Sequence, residues 1–587
     1  MKKVATILAE QFRSWGVSHV FGIPGKAVVP LAVEIDKAGL SFVASRHECG
    51  AGYEATGFSL LSEKLGVAVG TSGPGGTNLI TAAGQAMASH IPLLIITGHP
   101  SMSDTGKALG QDSTAFGTDV VEMFKPVTKF SARIERSDLV ESYVRHALEK
   151  AFIGIKGPVH LSIPADVLLA EIESFQLDLP KEQHVISPNL EEVIDLLEQA
   201  ERPLLFLGKG VHSSKAYEEV QVFAETWNIP VITTPGGKGS FVSQHSLSLG
   251  AFGLGGHEQA HSYLEEGVDV MVVMGTKLSD MSVAGLSEEH FPEKVIQFDY
   301  DPMFVGKTIT VPTLFIYGDL KMNVATLLQK KGIEVLQRQE IVGVESVEHL
   351  GYRKLELHDF PFSDEWQRSA VQTKEEHFFH EDAASEESGQ ALALKEREQE
   401  FMSSAHALTI LDNYLPANTI MFGDAGSHSF YAIKHYGIKK HGTFFFDDVF
   451  GAMGHAIGYS IGAKLAAPEV PIVCLTGDGC FMMHGTELST AVNAGSNVLF
   501  IILNNEGLDM VDKGMKAHVG RSVGTMLDHP VDIQQFAHSF GANAYKCRTE
   551  EELTFALNQV ITAEFSEPNV IEVIVDTNEI PPTMRRG

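Results

Sequence analysis

The sequence predicts an α/β protein of three doubly wound parallel-sheet domains, and three observations predict it. Residues 470–476 and 498–503 are aliphatic runs of strand character, separated by the turn Gly477-Asp478-Gly479 and a stretch of helical composition over 484–494. That is a βαβ unit with polar residues at both strand ends. The same alternation of short aliphatic runs and helical patterns recurs over 1–178, 188–335 and 403–587. Finally, 587 residues exceed one core, and a prior of about 150 residues per domain suggests three or four.

In the first region an amphipathic helix ends at Gly16, a strand covers 17–21, and Gly22-Ile23-Pro24-Gly25 is a turn. A short strand over 42–45 delivers Arg46-His47-Glu48 to a helix over 51–62. A strand at 66–70 then enters the glycine-rich loop Thr71-Ser72-Gly73-Pro74-Gly75-Gly76-Thr77-Asn78, and aliphatic strands follow at 93–97 and 159–163. The second region repeats the theme with strands at 203–208, 230–233, 268–275 and 295–299. Gly208-x-Gly210 by itself is a weak nucleotide signal, because the third glycine of a dinucleotide fingerprint is missing. Residues 336–402 lose the pattern and are acidic, which reads as a solvated linker or insertion. Its His377, His380, Glu381 and Asp382 form a weak metal-ligand pattern there. The last region opens with a strand at 419–422 ending in Gly423-Asp424-Ala425-Gly426-Ser427-His428. In all three, function is expected at the carboxyl ends of the strands.

Composition narrows the partners. A formal net charge of −31 with no basic stripe argues against nucleic acid. No apolar run reaches membrane-spanning length, and the N-terminal segment, interrupted by Glu10 and Arg13, reads as an amphipathic first helix rather than a signal peptide. Four widely separated cysteines without metal-ligand spacing fit a reduced, cytoplasmic setting.

Carboxylate and amide oxygens at strand ends, here Asp478 and Asn505, suit a hard cation such as Mg²⁺. Gly477 and Gly479 let backbone N–H groups approach a phosphate. Gly-Asp-Gly, some two dozen residues, then Asn-Asn after an aliphatic strand resembles the motif of thiamine diphosphate-dependent enzymes. LTGDGCFMMHGTELSTAVNAGSNVLFIILNNEGLDMV is most similar to the acetohydroxyacid synthase and pyruvate oxidase group. FGIPG, RHECGAGYEATG and TSGPGGTN resemble the pyrimidine-binding domain of that group.

The resemblance implies thiamine diphosphate and Mg²⁺, with the metal on Asp478, Asn505 and the carbonyl of Gly507. Glu48 is implied as the catalytic carboxylate that hydrogen-bonds the aminopyrimidine. Pro24, Gly25, Thr71, Gly75 and Asn78 are implied around the pyrimidine, and Gly426, Ser427, His428, Gly477, Gly479 and Cys480 around the diphosphate. Gly451 and Met453 match a loop whose apolar side chain wedges under the bent cofactor, with Leu508 and Met510 close by. Lys26, His90, Gln111 and Phe116 are candidates on the substrate side; Lys26 is equally a surface lysine. GAFGLGGHEQA, GTKLSDMSV and FDYDPMFVGK resemble the stretches bordering FAD in flavin-containing members, while related enzymes keep this domain empty, so both readings stand.

The implied activity is decarboxylation of a pyruvate-like 2-oxo acid with transfer of the acyl unit to a carbonyl acceptor. A non-ligating decarboxylase or oxidase is the alternative, and an inactive regulatory relative a remote one. A homodimer with sites shared between subunits is the implied minimal unit, paired into a tetramer. Departures from acetohydroxyacid synthases include Lys26, Ser427 in place of glutamine, and Asp512-Lys513-Gly514 where an indole is expected. They point away from branched-chain amino-acid synthesis.

Overall fold

A computed structural model describes residues 1–181, 184–333 and 401–584. The predicted acidic segment, with its histidine cluster, lies outside the described residues except for Phe401 and Met402.

Three six-stranded parallel sheets carry the architecture. The first holds β1 (His19–Gly22), β2 (Ser41–Ala44), β3 (Gly66–Gly70), β4 (Leu93–His99), β5 (Phe130–Arg133) and β6 (Pro158–Pro164), ordered β2-β1-β3-β4-β6-β5. The second holds β7 (Leu204–Leu207), β8 (Val231–Thr233), β9 (Ser248–Ala251), β10 (Val270–Met274), β11 (Lys294–Asp299) and β12 (Thr313–Tyr317), ordered β9-β8-β7-β10-β11-β12. The third holds β13 (Ile420–Gly423), β14 (Phe444–Phe446), β15 (Ile472–Gly477), β16 (Leu499–Asn504), β17 (Asn543–Cys547) and β18 (Asn569–Ile574), ordered β14-β13-β15-β16-β18-β17. Every residue of β15 and β16 is buried, as a sheet covered on both faces requires, and this is why these strands read as unbroken apolar runs. The first and third sheets share one topology. The second differs.

Seven helices position the candidate site residues: α1 (Glu48–Ser62), α2 (Ile80–Ala88), α3 (Ser427–His435), α4 (His455–Ala466), α5 (Asp478–His484), α6 (Leu488–Ala494) and α7 (Asp509–Val519). Helices α1 and α4 each follow the second strand of their sheet, and they pack on one another. The contact is backbone-close: a Cβ on Gly462 would lie 1.8 Å from the Glu54 carbonyl oxygen, and one on Gly57 2.1 Å from that of Tyr459. Cys49, Tyr53, Ala82 and Ile91 of the first domain share one apolar core with Phe422, Ala456, Ile457 and Tyr459 of the last.

The glycines of the central domain have a packing role. Gly210 N donates to the Gly275 carbonyl at 2.8 Å, and a Cβ on Gly210 would lie 2.5 Å from Gly275 Cα. These strand-end turns of β7 and β10 touch through glycine because no side chain fits between them.

Candidate active site

The order of the third sheet reverses between β13 and β15, so the turns after these strands form the crevice where open α/β sheets bind ligands. Asp424, Gly426, Ser427 and His428 follow β13, and Asp478, Gly479 and Cys480 follow β15. The segment over 484–494 is not one helix. Helix α5 begins at Asp478, a 3₁₀ turn covers Gly485–Glu487, and α6 resumes at Leu488. Gly477 and Gly479 read as a turn and Gly485 as part of a helix, but each serves a close approach: Gly479 meets Leu508, Gly485 meets Phe481 and Gly477 meets His428. Likewise α1 starts at Glu48 and not at residue 51, capped by His47, whose Nδ1 accepts the Cys49 N–H at 3.1 Å.

Asp478 is buried and its Oδ2 has no hydrogen-bond partner. Burial pushes its carboxyl up to about 6, against backbone N–H groups that hold it down. The side-chain amide of Asn505 ends 3.1 Å from the Gly507 carbonyl oxygen and 3.2 Å from Asp478 Oδ1. With its oxygen turned inward, three acceptors converge with no donor among them; with its nitrogen inward, both contacts become hydrogen bonds. Neighbouring oxygens on an octahedral Mg²⁺ at about 2.1 Å stand about 3.0 Å apart. The spacing found here fits that ion. Between Asn505 and Gly507, Glu506 takes the left-handed φ of 63°, an unfavourable conformation for a side chain with a Cβ. Leu508 N and Leu527 N close the turn by donating to Thr525 O at 2.7 Å and Glu506 O at 3.1 Å. Helix α7 follows directly.

The rest of the crevice is closely fitted. A Cβ on Gly477 would lie 2.8 Å from His428 Nδ1, so the imidazole rests on bare backbone. Burial pushes His428 down to about 4, leaving it neutral with Nε2 unpartnered. Cys480 donates its S–H to the Ala425 carbonyl at 3.1 Å, and burial raises the thiol well above its ordinary range. Gly479 lies against Leu508, with Met453 Cε 3.8 Å from where its Cβ would be. Gly451 has the left-handed φ of 68° and open space at its Cβ position. Met510 packs against the C-terminal core.

A second cluster forms on the first sheet, also at its reversal. Glu48 is buried and accepts from Asn78 Nδ2 at 2.9 Å. Gly25 and Gly75 pack on Thr71, whose hydroxyl has no partner, and Gly73 faces Gln111. Pro24 precedes this contact on an exposed turn. Lys26, His90 and Phe116 are exposed, Phe116 to 76%. Among the described residues no hydrogen bond joins Glu48 to the Asp478, Asn505 and Gly507 cluster within the chain.

Several supporting residues carried no motif. Asp424 is fully buried; it accepts Gly454 N at 2.8 Å, Ala425 N at 2.9 Å and Thr476 Oγ1 at 3.0 Å, and pairs with His455 at 3.2 Å. Burial opposes its charge, yet His455 holds it below the ordinary range, and Asp424 in return raises His455. One carboxylate thus ties together the turns carrying His428, Met453 and Asp478. Asp447 gathers Gln85 and Ser89 of the first domain and Lys209 of the second, the last at 3.1 Å. Only the doublet Asp447-Asp448 inside FFFDDVF, an acidic break in an apolar run, signalled this junction.

Three family models match the chain in sequence. Residues 2–123 match the N-terminal TPP binding domain of thiamine pyrophosphate enzymes, 190–329 their central domain, and 424–573 their C-terminal TPP binding domain. The chain is 30% identical to a probable acetolactate synthase large subunit of Methanocaldococcus jannaschii, over 100% of this chain and 94% of that one. The chain belongs to the thiamine pyrophosphate enzymes. Within them it is 29% identical to the acetolactate synthase large subunit of Corynebacterium glutamicum, over 95% of this chain and 84% of that one. It is 26% identical to the isozyme 2 large subunit of Escherichia coli, over 97% and 94%. The matched domains make thiamine diphosphate the cofactor of this thiamine pyrophosphate enzyme. Among the described residues no helix is long and apolar enough to cross a membrane.

Proposed function

We propose that the protein decarboxylates a pyruvate-like 2-oxo acid and joins the acyl unit to a carbonyl acceptor, using thiamine diphosphate and Mg²⁺. The observation that carries the metal assignment is the convergence of oxygens from Asp478, Asn505 and Gly507 beside an unpartnered Asp478 Oδ2. Thiamine diphosphate, when bound, supplies the electron sink for breaking a bond next to a carbonyl. Glu48, fixed by Asn78, holds a proton toward the aminopyrimidine ring nitrogen. Met453 and Leu508 supply apolar surface beside Gly479, His428 offers a neutral Nε2 to the diphosphate side, and α7 shields the turn from water.

The two half-sites complete one another between copies in a homodimer, and two dimers pair into a tetramer. Exposed Phe450, Met482, Met483, Val511, Met526 and Leu527 around the C-terminal half support a covering second chain. Four buried free thiols suit the cytoplasm. The FAD reading of the central domain predicts a yellow protein with flavin absorbance, and a colourless one removes it.

Pyruvate supplied alone and with an aldehyde or second 2-oxo acid tests the reaction. CO₂ release with a new carbon–carbon bond supports the proposal; free aldehyde, or oxygen consumption, assigns a decarboxylase or an oxidase in its place. Mixing Glu48→Gln with Asp478→Ala subunits tests the sharing: a mixed dimer has one intact site, so activity returns on mixing only if the site spans two chains.

A further inference from the structure

Glu487 and Glu54 are fully buried carboxyls that the proposed chemistry leaves unused. Glu487 lies in the 3₁₀ turn just after α5, in the last domain. Its Oε1 accepts His47 N at 2.8 Å and its Oε2 accepts Arg46 N at 3.0 Å, the two amides that precede Glu48, across more than 400 residues of sequence. Thr490 Oγ1 donates to Oε2 as well. The carboxylate is seated against bare backbone, since a Cβ on Gly50 would lie 2.2 Å from Glu487 Oε1. The Arg46 side chain turns away to Ser489 Oγ at 3.1 Å and the Ala44 carbonyl at 2.8 Å. Glu54, on α1, accepts from Ser45 Oγ at 2.6 Å, its Oε1 is buried with no hydrogen-bond partner, and the Glu487 carboxyl is near enough to raise its pKa.

We propose that Glu487 is a positioning residue for Glu48: it clamps the turn that delivers Glu48, as the ionised half of a carboxyl pair in which Glu54 carries the proton. Two neighbouring buried carboxyls do not both stay charged when only one of them has donors for both its oxygens. Its place follows from the donors. Glu487 spends both oxygens on Arg46 N, His47 N and Thr490 Oγ1, so it is the acceptor. Glu54 Oε1 has nothing else to bind, so the O–H is there. Burial and the charge of Glu487 raise the Glu54 carboxyl well above its ordinary range, consistent with that placement. The C-terminal domain therefore sets the aim of the first domain's carboxylate through the segment that leads out of α5. This inference rests on Glu48 acting at the cofactor.

The test pairs two isosteric variants with readouts in the cofactor-free protein. Glu54→Gln keeps a donor facing Glu487 and is expected to retain turnover within about threefold, whereas Glu487→Gln weakens the clamp and lowers kcat about 10- to 100-fold at nearly unchanged KM and cofactor affinity. In the cofactor-free wild type at pH 8, infrared spectra should contain a protonated-carboxyl carbonyl band that Glu54→Gln removes. Amide exchange at Arg46 and His47 should accelerate in Glu487→Gln. The proposal is overturned if Glu487→Gln turns over normally, if the band is missing, or if it survives in Glu54→Gln. Should Glu487→Gln not fold, the band and Glu54→Gln decide alone. Glu48→Gln keeps the two readings apart: full activity in that variant overturns the role of Glu48 itself, while its inactivity beside a normal Glu487→Gln overturns only the clamp.

Discussion

The first and last domains share one strand order and place their principal helices, α1 and α4, in direct contact, yet they are equipped for opposite tasks. After the second strand, the first domain presents Glu48 at the start of α1, and the last presents the turn carrying Met453 before α4. After the third strand, the first presents a glycine-rich loop bonded to Glu48, and the last presents Asp478. Topology accounts for where the two clusters lie. The loop residues account for what each does, since function is grafted on a fold and does not follow from it.

The largest expected effects would break the comparison if they coincided. Asp478→Ala should weaken cofactor and Mg²⁺ retention about 100-fold or more, while Glu48→Gln should leave binding nearly intact and lower turnover about 10²- to 10⁴-fold. Titration calorimetry beside steady-state kinetics checks the split; loss of the same parameter in both variants would erase the division of labour.

The helix pair gives the next effect. Gly462→Ala places a methyl against the Glu54 backbone, and overpacking of this kind costs about 1–3 kcal/mol. A lowered Tm with loss of cooperativity between the domains is expected.

The Asp424 and His455 pair, which α1 lacks, distinguishes α4 by its pH dependence. His455 is raised from 6.5, so its contribution is complete below pH 6.5 and is lost as pH rises through its folded value. Asp424 is lowered from 3.8, so its contribution is present above pH 3.8 and fades as pH falls below it. The stability gap between wild type and His455→Gln, read from denaturant unfolding, should therefore be widest between these limits, about 1–3 kcal/mol at pH 6, and narrow by pH 9. The smallest effect is at the other helix: His47→Ala removes the cap of α1 and should cost about 0.5–1 kcal/mol, measured by denaturant unfolding.

Much of the site was legible because its chemistry is local. Asp478 and Asn505 stand at the ends of apolar strands, and Glu48 and Asn78 on motifs flanking adjacent strands, so pattern and spacing expose them. Asp424, Asp447, Glu54 and Glu487 were not legible in this way. Each is an acidic residue in an apolar or small-residue stretch, and its partner lies in a different domain or a distant turn. The start of α5 was misplaced for a related reason: glycine signals a turn from its sequence neighbours, whereas Gly477 and Gly479 serve the approach of His428 and Leu508 from elsewhere.

By itself the sequence determined the alternating strands and helices, the reversal-point turns and the residue types able to hold a cation and a diphosphate, because backbone preference and burial pattern depend on near neighbours. Only the tertiary structure decided that Glu506 is turned left-handed, that the Gly507 carbonyl and Asp478 both meet the Asn505 side chain, that Asp424 locks three turns, and that Glu487 reaches back to the amides before Glu48. Those contacts exist only after the sheets have closed and packed, when a buried carboxylate must find its donors wherever the chain has brought them.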